Sequence, residues 1–293
     1  MIITFANKKA KTILSEDKSN GTLVFVPSGG LGNRLRAVAS AYHLAQTTGI
    51  GLHIYWFQDW ALHAPFRSLF QPSPLFHLIE GNAATALLYD RPRQRNLFIS
   101  KLYQRISFDQ RIDEWQVTPL KQQGFDFEAW ARGKRSYMSC YQDFGQFPNA
   151  LYAQLFHPVE SIERAIARNM NKLGDHPIGI HIRRTDNLEA TRRSPLHLFI
   201  DQMQALLEER PNLRFYLATD DEPTKRQLRQ RFGNAIVTAN NRADRGTVEG
   251  IQAAVAEMFT LARTHCIYGT ADSSFSVIAS RIGGNELHIL EQK

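Results

Sequence analysis

One continuous stretch indicates the fold class: TLVFVPSGGLGNRLRAVASAYHLAQTTGIGLHIYWF (Thr22–Phe57). Its first segment, Thr22–Pro27, is short, apolar and rich in β-branched and aromatic residues, which is typical of a buried parallel strand. Apolar residues then recur at helical spacing from Leu35 to Ala45, and Gly49 follows where a helix C-cap belongs. A second apolar segment, Ile50–Phe57, completes a strand–loop–helix–strand unit. This unit predicts the start of a doubly wound α/β domain.

The second half of the chain alternates between helical and strand patterns. We predict helices over 159–173, 195–209, 222–232, 248–262 and 274–282, and strands over 177–182, 212–218, 235–238, 266–268 and 287–290. Residues 58–155 show weak periodicity, and we interpret them as the rest of the first domain with long loops. The prediction is therefore two Rossmann-like domains facing a cleft, 1–157 and 158–293. Ligands of such sheets bind outside the carboxyl ends of the strands.

Composition narrows the class of protein. The 293 residues are 43% hydrophobic and 22% charged, which is ordinary for a globular chain. Lys and Arg number 35 against 28 Asp and Glu, and the net charge of +7 favours an anionic partner: nucleic acid, an acidic membrane surface or a phosphorylated small molecule. No apolar run approaches the roughly 18 residues of a membrane span. The two cysteines cannot form a disulfide framework, and we expect a cytoplasmic protein.

The glycine-rich turn GGLGNRLR, residues 29–36, is the first candidate site. Glycines let a backbone approach a ligand closely, and the helix that follows offers free N–H groups and the positive end of its dipole. Arg34 and Arg36 add positive charge. The spacing matches neither a dinucleotide fingerprint nor a Walker loop. A tight strand-to-helix turn requires glycine in any case, so both interpretations stay open.

The segment HIRRTD, His181–Asp186, places two arginines at the end of a buried strand. Guanidinium groups suit phosphate oxygens and can stabilise a departing diphosphate as negative charge builds on it. The alternative is an Arg–Asp ion pair that ties the loop to the strand. Because side chains alternate, His181 and Arg183 share one side of the strand. His181 alone would be an ordinary core histidine.

Two further strand ends carry polar residues. YLATDD, Tyr216–Asp221, ends in two acids, of which one is expected to cap the next helix; a divalent metal is the alternative, but no third ligand is evident. Glu257 lies on a predicted helix and is followed by YGTADSSFS, Tyr268–Ser276. Ser273 and Ser274 at that strand-to-helix junction fit either an anion-binding nest or plain N-capping.

These segments together resemble the GDP-fucose-dependent fucosyltransferase superfamily, in the family's order and at similar separations. The resemblance rests on GGLGNRL (29–35), HIRRTD (181–186), YLATDD (216–221) and Glu257 with TADSSFS (270–276). It implies two domains of GT-B type, an N-terminal acceptor-side domain and a C-terminal nucleotide-sugar domain. It also implies transfer with inversion of the anomeric centre, no required metal and no cofactor beyond the GDP-sugar donor.

The resemblance also implies site residues. Arg184 stands where the family's essential diphosphate-binding arginine lies, and Glu257 where an acid reads the guanine edge. Thr191 occupies the position of a family glutamate that acts as general base, so Asp186 and Glu189 become the candidates for that role. The full set comprises catalytic Arg184, Asp186 and Glu189, and substrate-binding Gly30, Gly32, Asn33, Arg34, His181, Arg183, Asp220, Glu257, Ser273 and Ser274.

The leading hypothesis is an inverting glycosyltransferase that moves fucose or a related sugar from a GDP-sugar to a glycan, a lipid-linked saccharide or a protein hydroxyl. The acceptor is expected near Trp56, Phe57 and Trp60, although a core cluster explains at least two of them better. The alternatives are a nucleic-acid-binding α/β protein and an inactive relative that binds sugar nucleotides. We do not expect a nucleic-acid partner, because no such binding module is recognisable. Peripheral contact with the inner face of the membrane stays open.

Overall fold

The computed structural model describes residues 20–91, 97–185, 188–239 and 244–292. The chain divides into two compact units, Met1–His157 and Pro158–Lys293. Each unit contains one five-stranded sheet in which every paired strand is parallel. The predicted fold class, two α/β domains with parallel sheets, is therefore confirmed.

The sheet of the first unit has the order β3-β2-β1-β5-β4. Its central strand, β1, is buried from its second residue onward, because it has a paired strand on either side and the sheet is covered by helices. Its strands are β1 (Thr22–Pro27), β2 (Gly51–Trp56), β3 (His77–Glu80), β4 (Gln110–Ile112) and β5 (Arg135–Cys140).

The helices of the first unit begin with α1, and Gly49 ends it as predicted. Gly49 adopts the left-handed conformation at φ 71°, and its N–H donates to the carbonyl of Ala45. The weak periodicity of residues 58–155 arises because the elements there are mostly three to seven residues long, which is too short for a visible period. The helices are α1 (Leu31–Thr48), α2 (Ala83–Tyr89), α3 (Leu97–Ser107), α4 (Val117–Gln122), α5 (Phe127–Ala131) and α6 (Ala150–Leu155).

The second unit has the strand order β10-β9-β6-β7-β8. The chain order reverses at β6, which lies between β7 and β9, and this switch point is where an open α/β sheet offers a ligand crevice. All residues of β6 and β7 are buried. The strands are β6 (Ile178–Ile182), β7 (Phe215–Thr219), β8 (Ile236–Thr238), β9 (Cys266–Gly269) and β10 (Glu286–Ile289).

The helices of the second unit agree with the predicted ones within a few residues, with one addition. The short helix α8 was not predicted, because six residues are too few to show a helical period. No helix among the described residues is long and apolar enough to cross a membrane. The helices are α7 (Glu160–Met170), α8 (Leu188–Arg193), α9 (Leu196–Glu209), α10 (Glu222–Phe232), α11 (Val248–Ala262) and α12 (Ser274–Gly283).

Candidate active site

The turn that follows β6 is held from both neighbouring strands. After β7, the Asp220 carboxylate accepts the backbone N–H of Arg184 at 2.8 Å and the hydroxyl of Thr185 at 2.7 Å. After β9, the hydroxyl of Thr270 accepts the backbone N–H of Arg183 at 3.0 Å. Backbone groups that would lack partners at a strand end are thus satisfied by side chains. The two arginines therefore leave a fixed backbone at the carboxyl edge of the sheet.

The two adjacent acids have different roles. Asp221 is the N-cap of α10, and its Oδ2 accepts the backbone N–H of Thr224 at 2.9 Å. Asp220 makes no cap and instead braces the turn after β6. The metal alternative has no support, since the described ranges contain no group of three His, Cys, Asp or Glu residues that could hold an ion.

Arg184 has an unused donor. Its Nη1 donates to the carbonyl of Thr191 in α8 at 3.4 Å, while its Nη2 is buried without a hydrogen-bond partner. Burial lowers the pKa of Arg184, which Asp221 and Asp220 partly oppose. A buried guanidinium donor without an acceptor is costly, so this nitrogen is free for an anionic ligand. Arg183 donates its backbone N–H to Thr270 and is half-buried.

His181 is a buried residue whose ring stacks on Phe275, with centroids 4.9 Å apart. Its Nδ1 has no hydrogen-bond partner. Burial lowers the pKa of His181 to about 4, while Asp220 raises it and Arg183 lowers it further. The imidazole is therefore neutral near pH 7, and it offers hydrogen bonding and no positive charge.

Ser273 occupies the N-cap position of α12 without capping it. Its side chain makes no cap hydrogen bond, and its hydroxyl is buried without a partner. The plain N-capping interpretation of Ser273 is therefore wrong. The preceding residue, Asp272, adopts a positive φ of 54°, and Ser274, the first residue of the helix, is half-buried. A helix N-terminus with a free hydroxyl beside it suits an anion.

Glu257 lies buried on α11, where burial raises its pKa to about 8. Lys225 lowers this pKa, and Asp220 and Glu222 raise it. Lys225 was not among the predicted site residues; it is a buried lysine on α10 whose Nζ donates to Glu222 at 2.9 Å. The available signal was its place beside Thr224 and three residues before Leu228, on the buried face of that helix. A buried carboxylate and a buried ammonium thus lie near one another.

The glycine-rich turn in the first unit is organised by Arg34. This side chain is fully buried and donates to the carbonyls of Gly29 at 2.8 Å and Phe57 at 2.6 Å, and to Asp59 Oδ1 at 2.9 Å. The predicted substrate-binding role of Arg34 is therefore corrected: its donors hold the turn together and are not available to a ligand. Gly30 is the N-cap of α1.

Other residues of this turn are placed differently from Arg34. Gly32 is buried in the first turn of α1, and Asn33 is half-buried. The Asn33 Oδ1 accepts a hydrogen bond from Arg36 Nη2 at 2.9 Å. Gly29 has a φ of 79°, and an added Cβ there would lie 3.0 Å from the Asn33 amide nitrogen. A glycine at this position therefore allows the left-handed conformation of the turn and leaves room for the Asn33 side chain.

The candidate base Glu189 and the three candidate aromatic residues differ in how exposed they are. Glu189 is exposed and accepts a hydrogen bond from Arg192 at 2.8 Å, which lowers its pKa. An ion-paired carboxylate of lowered pKa is a weak base, so this geometry argues against Glu189. Asp186 lies outside the described residues. Trp56 and Phe57 are core residues, whereas Trp60 is 81% exposed.

A charged cluster at the carboxyl edge of the first sheet was missed. Ser28, after β1, donates to Glu114 Oε2 at 2.5 Å, and Arg91 bridges Glu114 and Asp59 at 3.1 Å each. Residues 58–155 were interpreted from the sequence as the rest of the first domain with long loops, and no site was predicted there. The available signal was an acid two or three residues after a strand, Glu114 after β4 and Asp59 after β2, and β4 was not recognised because only one of its three residues is apolar.

Each unit has polar groups at the carboxyl edge of a parallel sheet. This arrangement is typical of α/β proteins that bind ligands at the ends of their strands. No protein-family model matches the chain, and no curated protein is similar enough in sequence to match. Solved structures do match over most of the chain, and the particular fold they share with it is that of fucosyltransferases.

Three structural neighbours illustrate this similarity. NodZ α1,6-fucosyltransferase soaked with GDP-fucose has a TM-score of 0.60 and 17% identity, over 89% of this chain and 92% of its own; NodZ is from Bradyrhizobium. A mutant of Arabidopsis thaliana FUT1 with GDP has a TM-score of 0.63 and 16% identity, over 98% and 74%. POFUT1 with GDP has a TM-score of 0.55 and 12% identity, over 94% and 99%. The resemblance to this superfamily is confirmed at the level of the fold, and the nucleic-acid alternative is not favoured.

Proposed function

We propose that this protein is a glycosyltransferase that transfers fucose, or a related sugar, from a GDP-sugar to an acceptor hydroxyl with inversion of the anomeric centre. The fold supports the proposal, since the neighbours are fucosyltransferases that were solved with GDP or GDP-fucose. The site in the second unit supports it independently, through the polar atoms that have no partner.

The observation that carries the proposal is a set of three buried atoms without hydrogen-bond partners: His181 Nδ1, Arg184 Nη2 and Ser273 Oγ. His181 is the last but one residue of β6, Arg184 follows β6 by two residues, and Ser273 is the N-cap of the helix after β9, so all three lie at the carboxyl edge of one sheet. Unsatisfied buried polar atoms are rare and cost free energy. Arg184 and the N-terminus of α12 supply positive potential, so the ligand that satisfies these atoms is anionic, and a diphosphate fits.

The chemistry of the step follows from this arrangement. The bond between the sugar C1 and the diphosphate oxygen breaks, and its electron pair stays on the leaving GDP. An acceptor oxygen forms the new bond to C1 from the opposite face, and its proton passes to a base. Arg184 and the α12 N-terminus stabilise the charge on the diphosphate as it develops, so no metal is required in this proposal. Asp186 remains the proposed base.

Glu257 is the proposed guanine reader. A carboxylate accepts two hydrogen bonds from the N1–H and the amino group of guanine, a pattern that adenine does not present. The burial of Glu257 makes such a pairing strong and selective, because an unpaired buried carboxylate is costly. Lys225 supplies the positive charge that favours the ionised form.

The proposed acceptor is a carbohydrate, and exposed aromatic residues of the first unit support this. Trp60 follows β2, Trp115 follows β4 and Tyr141 follows β5, and they are 81%, 70% and 37% exposed. Large exposed aromatic rings are unusual on a protein surface, and their faces stack on the apolar faces of sugar rings. All three follow strands that end at the same edge of one parallel sheet.

The test combines binding with turnover. GDP is expected to raise the melting temperature more than ADP, UDP or duplex DNA does, because only a ligand that binds the native state stabilises it. GDP-fucose is expected to be hydrolysed slowly without an acceptor, and the released GDP is measured. A shift with DNA and none with GDP would remove the proposal. If GDP binds but no GDP-sugar is turned over, alone or with an oligosaccharide library, the protein would be an inactive relative that binds sugar nucleotides.

A further inference from the structure

Helix α3 has its apolar residues on the outside and its polar residues on the inside. Phe98 and Ile106 are 78% and 76% exposed, and Leu102 is 47% exposed. Ser100 and Gln104 are fully buried on the opposite side. A surface helix of a soluble unit normally shows the reverse arrangement, with its apolar stripe toward the core.

Specific hydrogen bonds hold the helix in this orientation. The Gln104 amide donates to the carbonyls of Leu88 at 3.1 Å and Asp90 at 2.8 Å, at the C-terminal end of α2. The hydroxyls of Tyr103 and Tyr89 are 2.8 Å apart. Helix C-termini leave carbonyls without partners, and Gln104 satisfies two of them here. The outward apolar face is therefore a consequence of defined inward contacts.

The exposed face is also cationic. Lys101 and Arg105 are exposed, and at 100° per residue they line one side of the stripe formed by Phe98, Leu102 and Ile106. Residues 91–108 contain four arginines and one lysine, and no aspartate or glutamate. Leu87, on the neighbouring α2, is also exposed. An apolar stripe bordered by Lys and Arg is the pattern of a helix that lies in a membrane interface.

We propose that α3 docks this protein onto an anionic lipid surface. Phe98, Leu102 and Ile106 enter the boundary between headgroups and acyl chains, while Lys101 and Arg105 contact lipid phosphates. Charge complementarity selects this occupant over a second copy of the chain. A symmetric pairing through α3 would bring the basic residues of both copies together, with no acid on the helix to offset them. The inference does not depend on the proposed transferase activity.

The test is co-sedimentation of the full chain with vesicles. We expect binding to vesicles of phosphatidylcholine with about a third phosphatidylglycerol and little binding to phosphatidylcholine alone. Phe98→Ser/Ile106→Ser and Lys101→Gln/Arg105→Gln are each expected to weaken binding by about tenfold or more. The melting temperature of both variants should stay near that of the parent, because the four side chains are exposed.

Matched controls keep the result specific. Leu188 is 84% exposed in the second unit, and Leu188→Ser should leave vesicle binding unchanged. Arg168→Gln/Lys172→Gln removes two exposed charges from the region of α7 and should also leave it unchanged. Equal binding by the parent and the α3 variants would overturn the proposal. A dimer in sedimentation velocity that the α3 substitutions abolish, without vesicle binding, would overturn it in favour of a second copy.

Discussion

The Asp220 carboxylate accepts the backbone N–H of Arg184 at 2.8 Å, and this bond joins the ends of two neighbouring strands. The same carboxylate receives the N–H and the hydroxyl of Thr185. The direction in which the Arg184 side chain leaves the sheet is thus set by β7 as well as by β6. A donor that must meet a developing charge works best when it is positioned in advance.

Arg184→Ala should reduce transfer or hydrolysis of GDP-fucose by about 100-fold or more, because a preorganised donor to the leaving diphosphate is lost. The melting temperature should not fall, since the substitution also removes a buried donor that lacks a partner. Steady-state kinetics and thermal unfolding measure the two effects. Arg192→Ala, which removes an exposed ion-paired arginine, is the control and should leave the rate unchanged. Turnover by Arg184→Ala near the parent rate would exclude Arg184 from the mechanism.

Asp220→Ala should lower kcat by about tenfold or more, because the turn that carries Arg184 loses its brace. Asp220→Asn keeps an acceptor oxygen and should recover part of the loss, which distinguishes positioning from a general structural effect. Asp221→Ala is the matched neighbour: it removes the cap of α10 and should cost about 1 kcal/mol of stability with little change in kcat. The same kcat loss at both positions would contradict the separation of roles.

Glu257→Gln should remove a pH dependence of stability. The folded-state pKa of Glu257 is raised from 4.5 to about 8, so the native protein holds a proton that the unfolded chain releases. The stabilisation that this bound proton gives to the folded state is fully present below pH 4.5 and is lost as pH rises through 8. The free energy of unfolding of the parent, relative to Glu257→Gln, should therefore fall between pH 4.5 and 8 and then level off. Urea denaturation across this range measures it, and parallel curves would contradict the assignment.

The same residue gives a prediction for the ligand. The ionised carboxylate is the form that accepts two guanine N–H bonds, so GDP binding below pH 8 should release a proton. GDP affinity should rise with pH up to about 8. Calorimetry in buffers of different ionisation enthalpy measures the proton count. Glu257→Gln should bind GDP more weakly, with less preference over ADP, and an unchanged preference would remove Glu257 as the guanine reader.

Arg34→Met should act on stability more than on donor binding. It leaves Asp59 buried with only part of its charge compensated, and breaking a buried pair costs about 3–5 kcal/mol. Arg67→Met is the control, because the 3.8 Å ion pair of Arg67 with Glu80 lies nearer the surface and contributes about 1 kcal/mol or less. Urea denaturation compares them. Loss of GDP binding by Arg34→Met at unchanged stability would restore the direct role that its burial argues against.

Elements with a clear period or apolar run could be predicted from the sequence, and elements without one could not. Helix α11 and strand β1 show their period or their apolar run over enough residues to be recognised. Helix α8 does not, because six residues are too few to show a helical period. Strand β4 does not, because two of its three residues are polar, whereas the equally short β8 is Ile-Val-Thr and was predicted. Helix α3 lies in the region of weak periodicity and was not predicted. Its inverted orientation depends on hydrogen bonds with α2 that no local pattern contains.

For the site, the sequence by itself determined which segments carry the polar groups. Parallel strands must end at one edge, so the residues after β6, β7 and β9 were bound to lie near each other. Only the tertiary structure decided what each residue does. The Arg34 side chain is buried and paired with Asp59, and Ser273 leaves its hydroxyl without a hydrogen bond. Asp220 binds the turn after β6, while Asp221 caps α10. The physical reason is that a role depends on burial and on available partners. Both arise from contacts between residues distant in sequence, which the order of residues along one strand does not contain.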